Sequence, residues 1–292
     1  MSSYQMTYFF LCLVTFLSAT YSAVSSAVIM RHDVSPTAYL LDINDYPSTV
    51  DLKACTGVFV HQRWIMTAAH CLEGSDVLSA NKAVFKDIHL HPGYKIKDGS
   101  TIHDIALIEL TEPEYDALVT PVYEGQEEAG QILKVTGFGK TGNGKAGLDG
   151  ACGPCPLRGF DNLVTEVNQY HLRFFFDHPD SPNALYLEGV SGPGDSGAPA
   201  YIETEEGRFV AGIGSFGSNY YFDHDNFTRV SSELGWIAET MAEDYEGNYS
   251  GPLYSDLSVG DEQIPSYGGS LPLNILGLLV LLLIGRLSNR RL

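Results

Sequence analysis

The chain has 292 residues, 44% of them apolar and 18% charged, and sets 36 acidic side chains against 17 Lys and Arg for a formal net charge of −19. That length and apolar content can bury a core without staples and exclude a disordered chain. The shortage of Lys and Arg excludes a binder of nucleic-acid backbones, and five Cys are too few for a disulfide scaffold.

Residues 1–27 carry no charged side chain, and an apolar run from Tyr8 to Ala19 is followed by small residues that include Ser25 and Ala27. This pattern predicts a secretory signal peptide over 1–27, with cleavage after Ala23 or after Ala27. The alternative, an N-terminal anchor, needs roughly 20 apolar residues, and the run supplies about half of that. A domain is expected over 28–244. Residues 245–266 are acidic, contain Tyr, Gly and Ser and show no apolar periodicity, which predicts a flexible solvated linker.

At the far end, Tyr267-Gly268-Gly269-Ser270 precedes an apolar stretch from Leu271 to Gly285, and Arg286, Arg290 and Arg291 close the sequence. The stretch is short of the roughly 18 to 20 residues that span a bilayer comfortably, and the arginines would hold its end on the cytoplasmic side. Residues 267–292 resemble the GlyGly-CTERM tails of some Gram-negative bacterial secreted proteins. The resemblance implies a membrane-anchored precursor, export machinery and cutting by a rhomboid-type protease near the small residues. The product would then be extracellular or attached to the cell surface. A permanent transmembrane helix is the other reading of the same stretch.

Three motifs in the middle of the chain carry chemistry. Thr67-Ala68-Ala69-His70-Cys71 follows the apolar segments Gly57 to Val60 and Trp64 to Met66. His103-Asp104 opens a strand-like run, Ile105 to Leu110, and Gly192-Pro193-Gly194-Asp195-Ser196-Gly197 comes later. A serine hydroxyl is a weak nucleophile at neutral pH and needs a base to take its proton as it attacks a carbonyl. His70 is the candidate base, because imidazole titrates near the operating pH and can return the proton to a leaving amine. Asp104 would hold the ring in the required tautomer, and the backbone N–H groups of Gly194 and Ser196 would form an oxyanion hole.

In this order and with these flanks, the three motifs resemble those of the chymotrypsin-like and trypsin-like serine peptidases. The resemblance runs from about Val28 to Asp244. His91-Pro92-Gly93-Tyr94 is similar to the segment that family carries before its catalytic Asp, and Gly137-Phe138-Gly139 sits where it has Gly-Trp-Gly. Ser215-Phe216-Gly217 looks like the segment that pairs with substrate backbone. Phe227-Thr228-Arg229-Val230 looks like the last strand, and Ser232 to Glu243 reads as a closing helix. The implied fold is all-β, a chymotrypsin-like double six-stranded β-barrel with a C-terminal helix. The implied activity is peptide-bond hydrolysis through a Ser-His-Asp triad and an acyl-enzyme, on protein or peptide substrates and without a cofactor.

In that family a new N-terminal amine pairs with the Asp before the nucleophile, here Asp195. Cleavage after Ala27 would expose Val28-Ile29 for that pairing, although Met30-Arg31-His32-Asp33 replaces the usual continuation; cleavage after Arg31 would start the enzyme at His32 instead. Cys12 leaves with the signal peptide, and Cys55 with Cys71 matches a family disulfide that an oxidising compartment permits. Cys152-Gly153-Pro154-Cys155 reads as a short loop disulfide, as a redox motif out of its usual strand-to-helix context, or as half of a four-Cys zinc site whose pairs lie far apart. No metal is expected.

At the position where the resembled family has its pocket base, six residues before the nucleophile, the sequence has Val190 instead of the acid that the resemblance associates with basic side chains. Gly217 leaves the pocket entrance open. Asp225 either restores that attraction from another wall or is a solvated loop acid. Large apolar or mixed apolar and basic P1 residues are the expectation. Two other function classes compete with the peptidase: a catalytically silent binding or adhesion module on the same fold, and a thiol redox protein resting on Cys152 and Cys155.

Overall fold

A computed structural model describes residues 28–73, 84–97, 99–149 and 155–256. The expected signal peptide, Cys12, Cys152, residues 257–266 and the tail over 267–292 lie outside the described residues. In chain order the strands are β1 (Val28–Met30), β2 (Thr49–Asp51), β3 (Thr56–His61), β4 (Trp64–Thr67), β5 (Phe85–Leu90), β6 (Lys95–Lys97), β7 (Ser100–Ile102) and β8 (Ala106–Leu110). The second half contributes β9 (Ile132–Gly137), β10 (Thr141–Asn143), β11 (Gly147–Leu148), β12 (Arg158–Val167), β13 (His171–Phe175), β14 (Gly189–Val190), β15 (Pro199–Thr204), β16 (Gly207–Gly217) and β17 (His224–Arg229). One α-helix is present among the described residues, α1 (Leu234–Met241), and a 3-10 turn, Ala242–Asp244, extends it.

Six strands close into a barrel in the order β12-β13-β17-β16-β15-β9, and the first half builds a five-stranded sheet in the order β2-β3-β4-β8-β5. Alternation explains the barrel: along β12, Phe160 and Val164 are buried while Asp161 and Leu163 are only partly covered, so one face points inward. Phe160, Val164, Leu172, Phe174, Ala200 and Phe227 fill that interior. In the first half, β4 and β8 are covered on both faces and read as near-continuous apolar runs. Their Trp64, Met66, Leu107 and Ile108 share one cluster with Trp236, Ile237 and Met241 of α1, so the helix caps the first sheet although it follows the second in sequence. Each such side chain, fully buried, contributes about 1.5–3 kcal/mol.

Hydroxyls stitch the two halves together. Ser48 Oγ lies 3.0 Å from Tyr201 Oη, Thr49 Oγ1 lies 2.8 Å from Thr136 Oγ1, and Thr228 Oγ1 donates to the Asp104 carbonyl at 2.9 Å. Buried hydroxyls are costly without partners, so these bonds fix how the halves sit on one another. Residues 245–256 lie against α1: the Ser255 N–H donates to Glu239, and Tyr245, Tyr249 and Tyr254 pack on the same cluster. Among the described residues no helix is long and apolar enough to cross a membrane.

Candidate active site

His70 sits in a 3-10 turn, Ala69–Cys71, directly after β4, and the Cys55–Cys71 disulfide ties this turn to the start of β3. The His70 backbone N–H donates to Asp104 Oδ1 at 2.9 Å, and its Nδ1 lies 2.7 Å from Asp104 Oδ2. Burial works against the imidazolium. The hydrogen bond and charge of Asp104, with a smaller contribution from Glu73, outweigh it and hold the ring above its ordinary value of 6.5.

Asp104 has no exposed surface. Besides the two His70 donors it accepts from Ser215 Oγ at 2.5 Å, and Ser215 Oγ in turn lies 2.7 Å from Thr101 Oγ1. Its two oxygens thus meet three donors, which satisfies the buried group's hydrogen bonding. Ser215 therefore links β16 to the acid bonded to His70, a contact that its reading as part of a substrate-pairing segment did not announce.

Ser196 comes from the other half, in the loop between β14 and β15. Gly194 and Gly197 on either side have φ of +104° and +79°, a region open mainly to glycine. A Cβ on Gly197 would fall 2.1 Å from Thr67 Oγ1 and 2.3 Å from the Thr56 carbonyl. Thr56 anchors the loop: its N–H donates to the Ser196 carbonyl at 2.8 Å and its Oγ1 to the Gly194 carbonyl at 3.0 Å. Among the described residues the N–H groups of Gly194 and Ser196 donate to no protein acceptor, which leaves two adjacent donors open to an incoming oxygen. His70 and Ser196 Oγ form no hydrogen bond with each other, as is common before a substrate tightens such a site.

Asp195, the residue before Ser196, is buried in the protein. It is 1% exposed, and its carboxylate accepts from Gly139 N at 2.8 Å, from Gly192 N at 2.9 Å and from the backbone of Val28. Burial pushes it up to about 6. Val28 is fully buried and has φ of +83°, an outlier for a β-branched residue. The strand it opens, β1, runs parallel to β10 and antiparallel to β14, where Ile29 pairs with Val190.

The residues expected to bind substrate lie in β14, β16 and β17. Val190 belongs to a packed cluster with Ile29, Phe176 and Tyr221. Gly217 and Asp225 are opposite each other in the β16–β17 ladder. Phe216 stands edge-on to His171 with ring centroids 5.4 Å apart, and its carbonyl accepts from Asn226. Cys155 is disulfide-bonded, which removes a free thiol there; Cys152 lies outside the described residues. The contacts of Thr56, Thr101 and Thr228 went unread in the sequence, because a threonine in a strand carries no signal of which distant segment it will hold.

Comparison with known proteins places this geometry. Residues 42–237, about two thirds of the chain, match the Trypsin family. The chain is 28% identical to mouse (Mus musculus) tryptase over 69% of its own length and 86% of that protein's. It is 26% identical to granzyme B of Rattus norvegicus, covering 73% and 91% of the two chains. With chymotrypsin-like elastase family member 1 of Macaca fascicularis the identity is 27%, over 68% and 86%. With the six-stranded barrel, the histidine held by a buried aspartate and the glycine-flanked serine loop already described, the match over 42–237 leads to one conclusion: the chain belongs to the trypsin family.

Proposed function

We propose that this chain is an exported serine endopeptidase in which Ser196 is the nucleophile, His70 the general base and then general acid, and Asp104 the group that orients and charges His70. The observation that carries this reading is the His70–Asp104 pair, bonded twice and buried on its acid side, in a trypsin-family chain whose Gly194 and Ser196 N–H groups stand open. Ser196 Oγ attacks the peptide carbonyl while His70 Nε2 takes its proton. The carbonyl oxygen, now negative, is received by Gly194 and Ser196, and His70 returns the proton to the leaving amine. Water, activated by the same histidine, then releases the acyl group from Ser196.

Residues 1–27 are read as the export signal and 267–292 as the sorting tail. The enzyme between them would be extracellular or surface-attached after rhomboid-type processing, acting on protein or peptide substrates. Val28 is read as the activating terminus and Asp195 as its partner. What supports this is the Val28 backbone already bonded to the Asp195 carboxylate and the burial of β1. Ser215, Phe216 and Gly217 are read as the edge that pairs with substrate, and Val190 and Asp225 as pocket residues.

A fluorophosphonate probe tests the reading. Labelling of the mature protein at Ser196, abolished with peptidase activity in Ser196→Ala, is the expected result. An unlabelled wild-type protein would instead mean a silent module on a peptidase fold.

A further inference from the structure

Behind the catalytic aspartate lies a second buried polar cluster, His91, His103 and Glu233, in which all three residues are at most 8% exposed. His103 Nδ1 is 2.9 Å from both carboxylate oxygens of Glu233, and His91 Nε2 is 3.3 Å from Glu233 Oε2. The two imidazoles stack with centroids 4.3 Å apart and planes 10° from parallel. Trp236 and Tyr254 close the cluster edge-on to His91, and Tyr170 edge-on to His103.

Two histidines and a carboxylate are also a metal donor set, but the protons argue against that use. His91 Nδ1 accepts the Gly93 N–H at 3.0 Å, so in the neutral ring Nε2 carries the hydrogen and donates to Glu233. A metal on Nε2 would require that hydrogen to leave or to move to Nδ1, against the Gly93 N–H. The near-parallel rings also send their in-plane lone pairs side by side instead of to one point.

What the cluster does hold is the turn that carries Asp104. His103 has φ of +50°, and its carbonyl accepts the Ile105 N–H at 2.8 Å, closing a three-residue turn with Asp104 at its centre. A non-glycine residue stays in such a conformation only when its surroundings over-determine it. The His103 ring meets the carboxylate of Glu233, the residue directly before α1.

Resting on the triad reading above, we propose that Glu233 is a positioning residue for the reaction: through His103 it locks the left-handed turn that aims Asp104 at His70, and His91 fixes the carboxylate in place. The helix α1 is thereby coupled to the catalytic acid.

The test is made on mature protein whose active sites have been counted by fluorophosphonate titration. Gln at 233 keeps the size but sets an NH2 group against one of the two imidazole N–H groups. Glu233→Gln is expected to lower kcat per titrated site about tenfold with KM changed less than about twofold, since misplacing a reacting group by about 1 Å costs up to about 10²-fold. The far-downfield proton resonance of the His70–Asp104 hydrogen bond should shift or broaden in the same variant. His103→Asn, which tolerates the left-handed conformation and keeps a side-chain N–H, is expected to retain more activity than His103→Ala.

Wild-type kcat and an unmoved resonance in Glu233→Gln would overturn the proposal, whatever happens to its melting temperature. Micromolar zinc that inhibits the wild type but not Glu233→Gln would overturn it in favour of a metal site. If Glu233→Gln does not fold, equal kcat in the Asn and Ala variants of His103 overturns it instead. A wild-type protein that takes no label at Ser196 would fail the triad reading, a separate outcome.

Discussion

Asp225 and Gly217 face each other so closely across the β16–β17 ladder that a Cβ at 217 would come within 2.3 Å of Asp225 Oδ1. Asp225 is fully buried and accepts from Ser191 N, Ser191 Oγ and Asn226 N, all neutral, with no cation paired to it among the described residues. Burial, reinforced by the nearby charge of Asp195, pushes its carboxyl up to about 7. A substrate Lys or Arg entering beside Gly217 would supply the missing charge. Asp225→Asn is expected to lower kcat/KM for P1 Arg and Lys substrates about 10- to 100-fold, the worth of a hydrogen bond to a charged group. Apolar P1 substrates should be unaffected.

The same carboxyl sets a pH dependence. Only its ionised form pairs with a cation, so KM for basic P1 substrates should fall as pH rises through about 7, a step that Asp225→Asn removes. Initial-rate measurements from pH 5.5 to 8.5 on both proteins decide it.

Processing should show in stability. Asp195 titrates near 6 when folded, above its ordinary 3.8, so in the unprocessed chain it keeps its proton at low pH and becomes an uncompensated buried charge as pH rises through about 6. A free Val28 amine, protonated up to about pH 8, would compensate that charge. Cutting the 27–28 bond also releases the strain of a valine at φ +83°, about 1–3 kcal/mol. The mature protein is therefore expected to melt above the unprocessed one at pH 7.5, with a smaller difference at pH 5 and in Asp195→Asn. Amino-terminal sequencing of active enzyme should begin at Val28. A start at His32 would discard all of β1, whose three residues are at most 3% exposed, and would sink this account.

For the triad, kcat/KM should rise with pH as His70 loses its proton, with a midpoint above 6.5, because Asp104 stabilises the imidazolium. Asp104→Asn is expected to lower kcat about 10⁴-fold by favouring the wrong tautomer. It should also move that midpoint down.

The Cys55–Cys71 disulfide closes a loop with a sequence separation of 16. Replacing both cysteines by Ser is expected to cost about 3 kcal/mol of unfolding free energy in urea titrations. Because Cys71 follows His70 directly, kcat should fall too.

Much of the site was legible in the sequence because its parts are local. His70 inside Thr67 to Cys71, Asp104 before an apolar strand and Ser196 between glycines each announce their chemistry within a few residues. The closing helix was legible for the same reason, although the α-helical part is shorter than the expected Ser232 to Glu243 and ends in a 3-10 turn. Ser215 was legible only as part of a substrate-pairing segment. Its hydroxyl bond to Asp104 spans 111 positions and depends on how β16 sits against the first half.

The sequence by itself determined the candidate His, Asp and Ser motifs, their order and the resemblance to the family, since motifs of that kind are set by neighbours along the chain. Tertiary structure alone decided which acids are buried and what they face. Whether Asp225 is a solvated loop acid or a buried wall depends on the register of β16 against β17, because a one-residue slip turns every side chain to the other face. His103 and Glu233 stand 130 positions apart, and only the seating of α1 on the first sheet brings that carboxylate against the turn that carries Asp104.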